Sequence, residues 1–416
     1  MISAPNRPLP LSGNKVLFFM VFLLVLASCS PKIRPVVAVQ PNKEPEKPVV
    51  SPPVVVKTKP AAPKVSTISL LLPFGLEHLQ SGTPYTHATL KEADIALDYY
   101  RGFKLALDSL TGLGYNYKLL VFDSNDQRAQ AHSLAANPAI RASNLIVGPV
   151  FPDDIKAFTA TYLNGRQPIV SPLSASAPAA YNSAELITVT PPLEYHAWAA
   201  AKYVEGAITP KRIYILRSGF SEENEYIIPF KKAIDSLSKK KTRVIELTVI
   251  HGQLNSLLPL LSETDHNVFV VPSTNQHFLT VTLRTLDSLN NTYPVTLIGH
   301  PSWINFSFLK ADLLQRLDTH ITSSEQIDYK AANTITFMNV YRQAYHADAT
   351  GFSIKGFDEG FYLGRLLATD SLKNITGVDY TGLHNSFHFQ RKAGLGWINT
   401  HVDVLKYADF ELKKVE

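Results

Sequence analysis

Cysteine is nearly absent from these 416 residues. The single example, Cys29, has no partner for an internal disulfide, so the chain is not a disulfide-stapled scaffold. Long apolar runs are equally scarce. The longest, Val16–Ala27, has twelve residues against the roughly 20 that a membrane-spanning helix needs. There is no His-Glu-x-x-His, no Cys-x-x-Cys, no P-loop and no Gly-x-Ser-x-Gly, so no motif with catalytic mechanics supports an enzyme, and no cofactor is implied. Excess positive charge is missing from most of the chain as well. The formal +5 divides into +7 for residues 1–66, with nine basic and two acidic side chains, and −2 for the remaining 350, with 31 basic and 33 acidic. A nucleic-acid binder needs cations on its folded part to neutralise phosphates, and that class is excluded. What is present is 45% hydrophobic residues with only 18% charged, enough to bury a large core.

The N-terminus reads as an address. Arg7 and Lys15 precede the apolar run, whose length suits the h-region of a signal peptide, about 7–15 residues. Leu26-Ala27-Ser28-Cys29 then resembles the bacterial lipobox, which implies cleavage before Cys29 and lipidation of its thiol. Acyl chains stabilise membrane residence by about 0.8 kcal/mol per buried CH₂, so residues 1–29 predict an exported, membrane-tethered protein. Ser30, in place of an inner-membrane retention aspartate, points to the outer membrane, facing the periplasm. Residues 30–66 form a proline-rich tether: nine prolines between Pro31 and Lys64 forbid helix and ladder and favour extended polyproline II.

From Thr67 the pattern becomes short apolar runs alternating with helical stretches. Strands are expected at Ile68–Pro73, Lys118–Phe122, Asn144–Gly148, Pro168–Val170 and Leu186–Val189, with helices at Asp94–Leu110, Ala129–Ala135 and Asp153–Leu163. A second wave has strands at Arg212–Leu216, Arg243–Val249, Asn267–Val271 and Pro294–Ile298. Its helices run over Tyr195–Glu205, Glu225–Lys239, Leu254–Leu261 and Phe278–Leu289. Two such waves predict an α/β fold of two doubly wound parallel-sheet lobes. Helices at Asn333–Tyr345 and Ser353–Thr369 and a β-rich tail complete the chain.

Five segments carry a resemblance. They are Asp98–Leu107 (DYYRGFKLAL), Phe122-Asp123, Leu145–Pro149 (LIVGP), Pro168–Pro172 (PIVSP) and Gly356–Gly360 (GFDEG). In order and spacing they resemble the type I periplasmic binding proteins, within which residues 67–416 are similar to branched-chain amino-acid binding proteins and to the C-terminal domain of LpoA-type lipoproteins. The resemblance implies two lobes around a cleft, joined by three crossovers and closing by a hinge. Lobe 1 would comprise about 67–192 and 327–382, lobe 2 about 193–326, and 383–416 the last crossover.

In open parallel sheets ligands sit beyond the carboxyl ends of the strands. The candidates there are Phe74, Asp123, Ser124, Gly148, Pro149, Val150, Phe151, Ser171 and Ser174, and, after the first crossover, Tyr195, Ser218, Phe220, Ser273, His300 and Trp303. Gly148-Pro149 either admits a ligand close to the backbone or simply turns a strand into a helix. Trp303 and Phe306 read as an apolar cleft wall, His196 as a packing residue, and His384 and His388 as solvated side chains on a strand. The resemblance also marks departures. Amino-acid binders place hydroxyl residues where this chain has Val150-Phe151-Pro152-Asp153-Asp154 and Ala175, and their Asp-x-x-Tyr-Gly element is replaced by Arg217-Ser218-Gly219-Phe220-Ser221. Two functions stay open: a small-molecule ligand bound in the cleft for transport or sensing, or an interaction module that regulates a cell-wall synthase as LpoA-type domains do. The expected partners are therefore that ligand or synthase, and the membrane through lipidated Cys29.

Overall fold

The structure is a computed structural model that describes residues 64–415 apart from 79–81, 83, 164, 176–177 and 392–393. The signal segment, Cys29 and all of the tether before Lys64 lie outside the described residues. Strand β1 (Val65–Leu72) begins two residues before the expected domain start, with Ser66 buried and in register with Tyr117. The first sheet orders β1 beside β2 (Asn116–Asp123) and β3 (Leu145–Val147), then β4 (Ile169–Ser171) and β5 (Leu186–Thr188), all parallel. The second repeats the pattern with β6 (Arg212–Arg217), β7 (Arg243–Thr248), β8 (Asn267–Val271), β9 (Val295–Gly299) and β10 (Thr319–Ser323). A small hairpin, β11 (Tyr380–Thr381) with β12 (Ser386–Phe387), follows. The C-terminal segment then completes both sheets at seven strands each. Strands β13 (Phe389–Arg391) and β14 (Trp397–Asn399) join the first, β15 (Asp403–Ala408) and β16 (Glu411–Lys414) the second. The chain therefore passes between the lobes three times, after β5, after β10 and after β14.

Alternation along the strands builds a core on each face of each sheet. Ile68, Leu70 and Leu72 point to one layer while Leu71 joins Ile146 and Phe158 in the other. In the second lobe Tyr214 and Leu216 face one layer and Ile213 and Ile215 the opposite one. The layers are covered by α1 (His87–Gly112), α2 (Arg128–Ala136), α3 (Pro138–Arg141) and α4 (Pro152–Thr161) in lobe 1, and by α5 (Leu193–Tyr203), α6 (Asn224–Leu237), α7 (Gln276–Leu289) and α8 (Ala311–Arg316) in lobe 2. Helices α9 (Ala332–Tyr345) and α10 (Gly351–Ala368) return to lobe 1. Helix α1 begins seven residues earlier than its apolar period suggests, because Thr86 and Thr89 form a reciprocal capping box. Helices α1 and α10 touch backbone to backbone: a Cβ on Gly102 would lie 1.8 Å from the Ser353 carbonyl oxygen, and one on Gly356 2.2 Å from that of Tyr99.

One expectation is corrected and one strand is added. The segment 254–261 is a 3-10 turn over Asn255–Leu260, because Pro259 removes an amide that an α-helix would use. Strand β10 escaped the sequence reading because its residues, Thr-His-Ile-Thr-Ser, are mostly polar, yet all five are buried. Among the described residues no helix is long and apolar enough to cross a membrane.

Candidate functional site

A cavity of about 970 Å³ opens between the lobes. Lobe 1 supplies Leu72 and Pro73 at the end of β1, Glu92 and Ile95 on α1, and the loops after β3 and β4 through Val150, Phe151, Leu173 and Ser174. The opposite wall comes from the first crossover and α5 (Leu193, Glu194, Trp198) and from one face of α6 (Glu225, Ile228, Pro229, Lys232), while Phe352 on α10 completes the lobe 1 side. Positions 225, 228, 229 and 232 share one side of a 3.6-residue helix, so α6 presents a continuous stripe to the cleft. The wall is mostly apolar and it faces water: Ile228 is 64% exposed, and Trp198 and Phe352 are each 38% exposed. Among the described residues, Glu92, Glu225 and Lys232 form no ion pair or side-chain hydrogen bond.

Of the residues the sequence singles out, Val150, Phe151 and Ser174 line this cleft. A neighbouring pocket of about 660 Å³, at the ends of β6, β8 and β9, gathers Phe220, Ser273 and His300 and shares Leu193 and Glu225 with the main cavity. The remaining positions line neither. Asp123 ties its own loop together, accepting the N–H groups of Phe74 (2.9 Å), Gly75 (3.3 Å), Leu76 (2.6 Å) and Asn125 (3.0 Å). The Phe74 ring stands edge-on to Tyr100. Ser124 and Ser171 are fully buried, and the Ser171 hydroxyl donates to the Ser174 carbonyl. Gly148 has φ +96°, and a Cβ there would lie 2.1 Å from the Leu71 carbonyl oxygen, so the glycine answers to strand packing; Pro149 beside it is buried. Tyr195 is half-buried on α5, and burial raises its hydroxyl pKa. Ser218 donates from its backbone and hydroxyl to Glu223.

Trp303 is a correction. It is 1% exposed in the lobe 2 core and donates from its indole to the Ser273 carbonyl at 2.9 Å, because the turn after β9 folds it back over Gly299. His384 is another: its side chain is only 9% exposed, with Nε2 3.8 Å from Glu325, whereas His388 faces solvent and bonds Asp379. His196 is buried and bonds Thr322, and burial holds its pKa down at about 4.

The crossovers carry a second cluster, one the sequence reading did not assemble. Lys355 on α10 is 3% exposed; it donates to Thr190 on the first crossover at 3.1 Å and pairs with Glu325 on the second. Burial pushes the Glu325 carboxyl up, but Lys355 and His384 pull it further down, to about 2. Burial likewise opposes the charge of Lys355, while Glu325 and Glu359 raise its pKa on balance. Glu359, one turn along, is fully buried and accepts from the Tyr99 hydroxyl at 2.6 Å; burial drives its pKa up to about 8. Asp358 accepts three backbone N–H groups, from Leu383, His384 and Asn385, which fixes the approach to β12. The run 355–359 on α10 thus fastens lobe 1 to two crossovers. Its only sequence signal is a charged face on a helix otherwise rich in apolar and small residues.

No family profile and no curated protein sequence matches the chain. Solved structures do. A protein assigned as a branched-chain amino acid ABC transporter from Rhodospirillum rubrum is 14% identical, with a TM-score of 0.61 over 85% of this chain and 100% of its own. The ABC transporter substrate-binding protein of Desulfitobacterium hafniense, solved in complex with Leu, is 16% identical, with a TM-score of 0.54 over 85% of this chain and 100% of its own. Full-length LpoA from Haemophilus influenzae is 13% identical, with a TM-score of 0.56 over 85% of this chain and 59% of LpoA. Likeness at these identities establishes the fold: two α/β lobes, seven strands each, in the type I periplasmic-binding-protein arrangement.

Proposed function

We propose that this chain is a binding protein without catalytic activity, held at the cell envelope by lipidated Cys29, whose cleft takes a small solute for transport or sensing. The observation that carries this reading is the cavity of about 970 Å³, walled by both lobes and largely apolar. That size is in the range of small-molecule sites, and the exposed Trp198, Ile228 and Phe352 are surfaces that a ligand would cover on lobe closure. Three crossovers provide the hinge about which closure occurs. The solute-binding protein with leucine shares this fold, which supports the reading without identifying the solute.

A panel of amino acids, short peptides, nucleosides and muropeptides tests it through thermal unfolding of the mature protein. A ligand at about 100 times its dissociation constant adds roughly 2.7 kcal/mol and moves the midpoint by several degrees. A shift that Trp198→Ala removes supports the cleft; a flat response across the panel counts against it. For the anchor, Cys29→Ala abolishes acyl labelling and releases the protein from the membrane fraction. Persistent labelling would sink that part, and fractionation of the wild-type protein reports whether it resides in the outer membrane.

A second reading, a module acting on a cell-wall synthase, is favoured by an apolar groove of about 590 Å³ between α1, α9 and α10, where Phe337, Phe357, Phe361 and the exposed Val340 converge. The likeness to LpoA supports it at the level of fold. Under this reading Val340→Glu weakens capture of a cell-wall synthase, and Trp198→Ala does not.

A further inference from the structure

We infer that the cleft selects organic cations with an apolar body and no carboxylate; this rests on the cleft being a ligand site. Its charged lining is Glu92, Glu194 and Glu225 against Lys232, a net charge of −2. Glu92 belongs to lobe 1 and Glu225 to lobe 2, so closure on a neutral or anionic molecule gathers like charges into a smaller, drier volume, and a cation relieves that repulsion.

The usual anion-binding device, a helix N-terminus with free amides, is opposed by acidic first-turn side chains on three of the helices that start at the cleft. Helix α4 begins with Pro152, which has no N–H, and carries Asp153 and Asp154 in its first turn. Helix α5 carries Glu194 in its first turn. Helix α6 carries Glu225 and follows Glu223, whose carboxylate takes the amides of Ser218 and Gly219. A ligand carboxylate therefore meets the like charge of Glu194 and Glu225 at the starts of α5 and α6. A ligand cation meets the opposite. Pro229 lies within α6 and removes the amide that would bond the carbonyl of Glu225, a residue of the cleft lining. Trp198 adds an aromatic surface, which attracts organic cations.

Three probes that share one apolar body separate the possibilities: phenethylamine, phenylalanine and 3-phenylpropionate. Binding to the mature, full-length protein is read by calorimetric titration and by the unfolding midpoint. The expected result is that phenethylamine binds at least about tenfold more tightly than phenylalanine, with 3-phenylpropionate weakest. Glu225→Gln combined with Glu92→Gln lowers phenethylamine affinity by about tenfold and leaves the unliganded midpoint unchanged. If phenylalanine or 3-phenylpropionate binds as tightly as the amine and Trp198→Ala removes that binding, the cleft is a ligand site but the charge inference is wrong. Should none of the three bind at tens of millimolar, or should the amine bind regardless of both the Trp198 and the glutamate changes, the inference falls together with the cleft reading.

Discussion

At the hinge, Lys355 is 3% exposed and held by Thr190 and Glu325, whereas in the cleft Lys232 and Glu225 stand in water with no ion pair among the described residues. The two regions share helix α10, which supplies Phe352 to one and Lys355 to the other. Burial explains the difference. A charge removed from water must be matched by a partner or neutralised, so hinge charges are committed to the fold. Exposed charges in the cleft cost little to leave unmatched, and they remain available to an incoming group. Stability should therefore depend on the hinge, and ligand response on the cleft.

The largest effect is expected at Asp358. Asp358→Ala leaves three backbone N–H groups at 383–385 without their acceptor and should lower unfolding free energy by about 3–4 kcal/mol in denaturant titration. A loss under 1 kcal/mol would break the contrast. Lys355→Met comes next, at about 2–3 kcal/mol, at or below the low end for a broken buried pair because the Glu325 side chain is 38% exposed and keeps some hydration. Adding Glu325→Gln to that variant should recover about 1 kcal/mol, since it removes the charge left behind. No recovery would mean that Lys355 acts through packing alone.

Protonation gives a more selective test, read as a change per pH unit. Glu359 has a folded pKa of about 8 against an unfolded value near 4.5, so between these limits the native state binds more protons than the unfolded chain. Its contribution is complete below about pH 4.5 and is lost as pH rises through about 8. Compared with Glu359→Gln, the wild-type protein should lose up to about 1.4 kcal/mol per pH unit across that window. Parallel stability curves for the two proteins would show that Glu359 does not take up a proton on folding. The smallest stability effect belongs to the cleft: Trp198→Ala, at a 38% exposed position, should lower unfolding free energy by about 1 kcal/mol while removing the ligand response. A large stability loss there would erase the distinction between the two regions.

Strands buried on both faces were legible because their apolar runs are continuous; β8 was expected and is found at Asn267–Val271. Strand β10 was not, since a buried polar strand is acceptable only when partners from elsewhere satisfy it: His320 finds Tyr203, and Thr322 finds His196. The site divides in the same way. Val150, Phe151 and Ser174 follow strand ends, a position that topology makes predictable. Trp198, Ile228 and Phe352 come from helix faces and lie 30 and 124 residues apart in sequence, so nothing local marks them as neighbours. Trp303 shows the converse, a residue at a strand end that the next turn folds into the core.

Composition and periodicity, by themselves, determined the two-lobed α/β architecture, because the period of apolar residues encodes which face of each element is buried. The resemblance of Leu26–Cys29 to the lipobox added the expectation of an N-terminal anchor. Which charges became committed to the fold and which stayed in water was decided only by tertiary structure, because the free energy of a charge depends on the solvent and partners around it. For Lys355 and Glu359 that environment is buried between lobe and crossover; for Glu92 and Glu225 it is the water of the cleft.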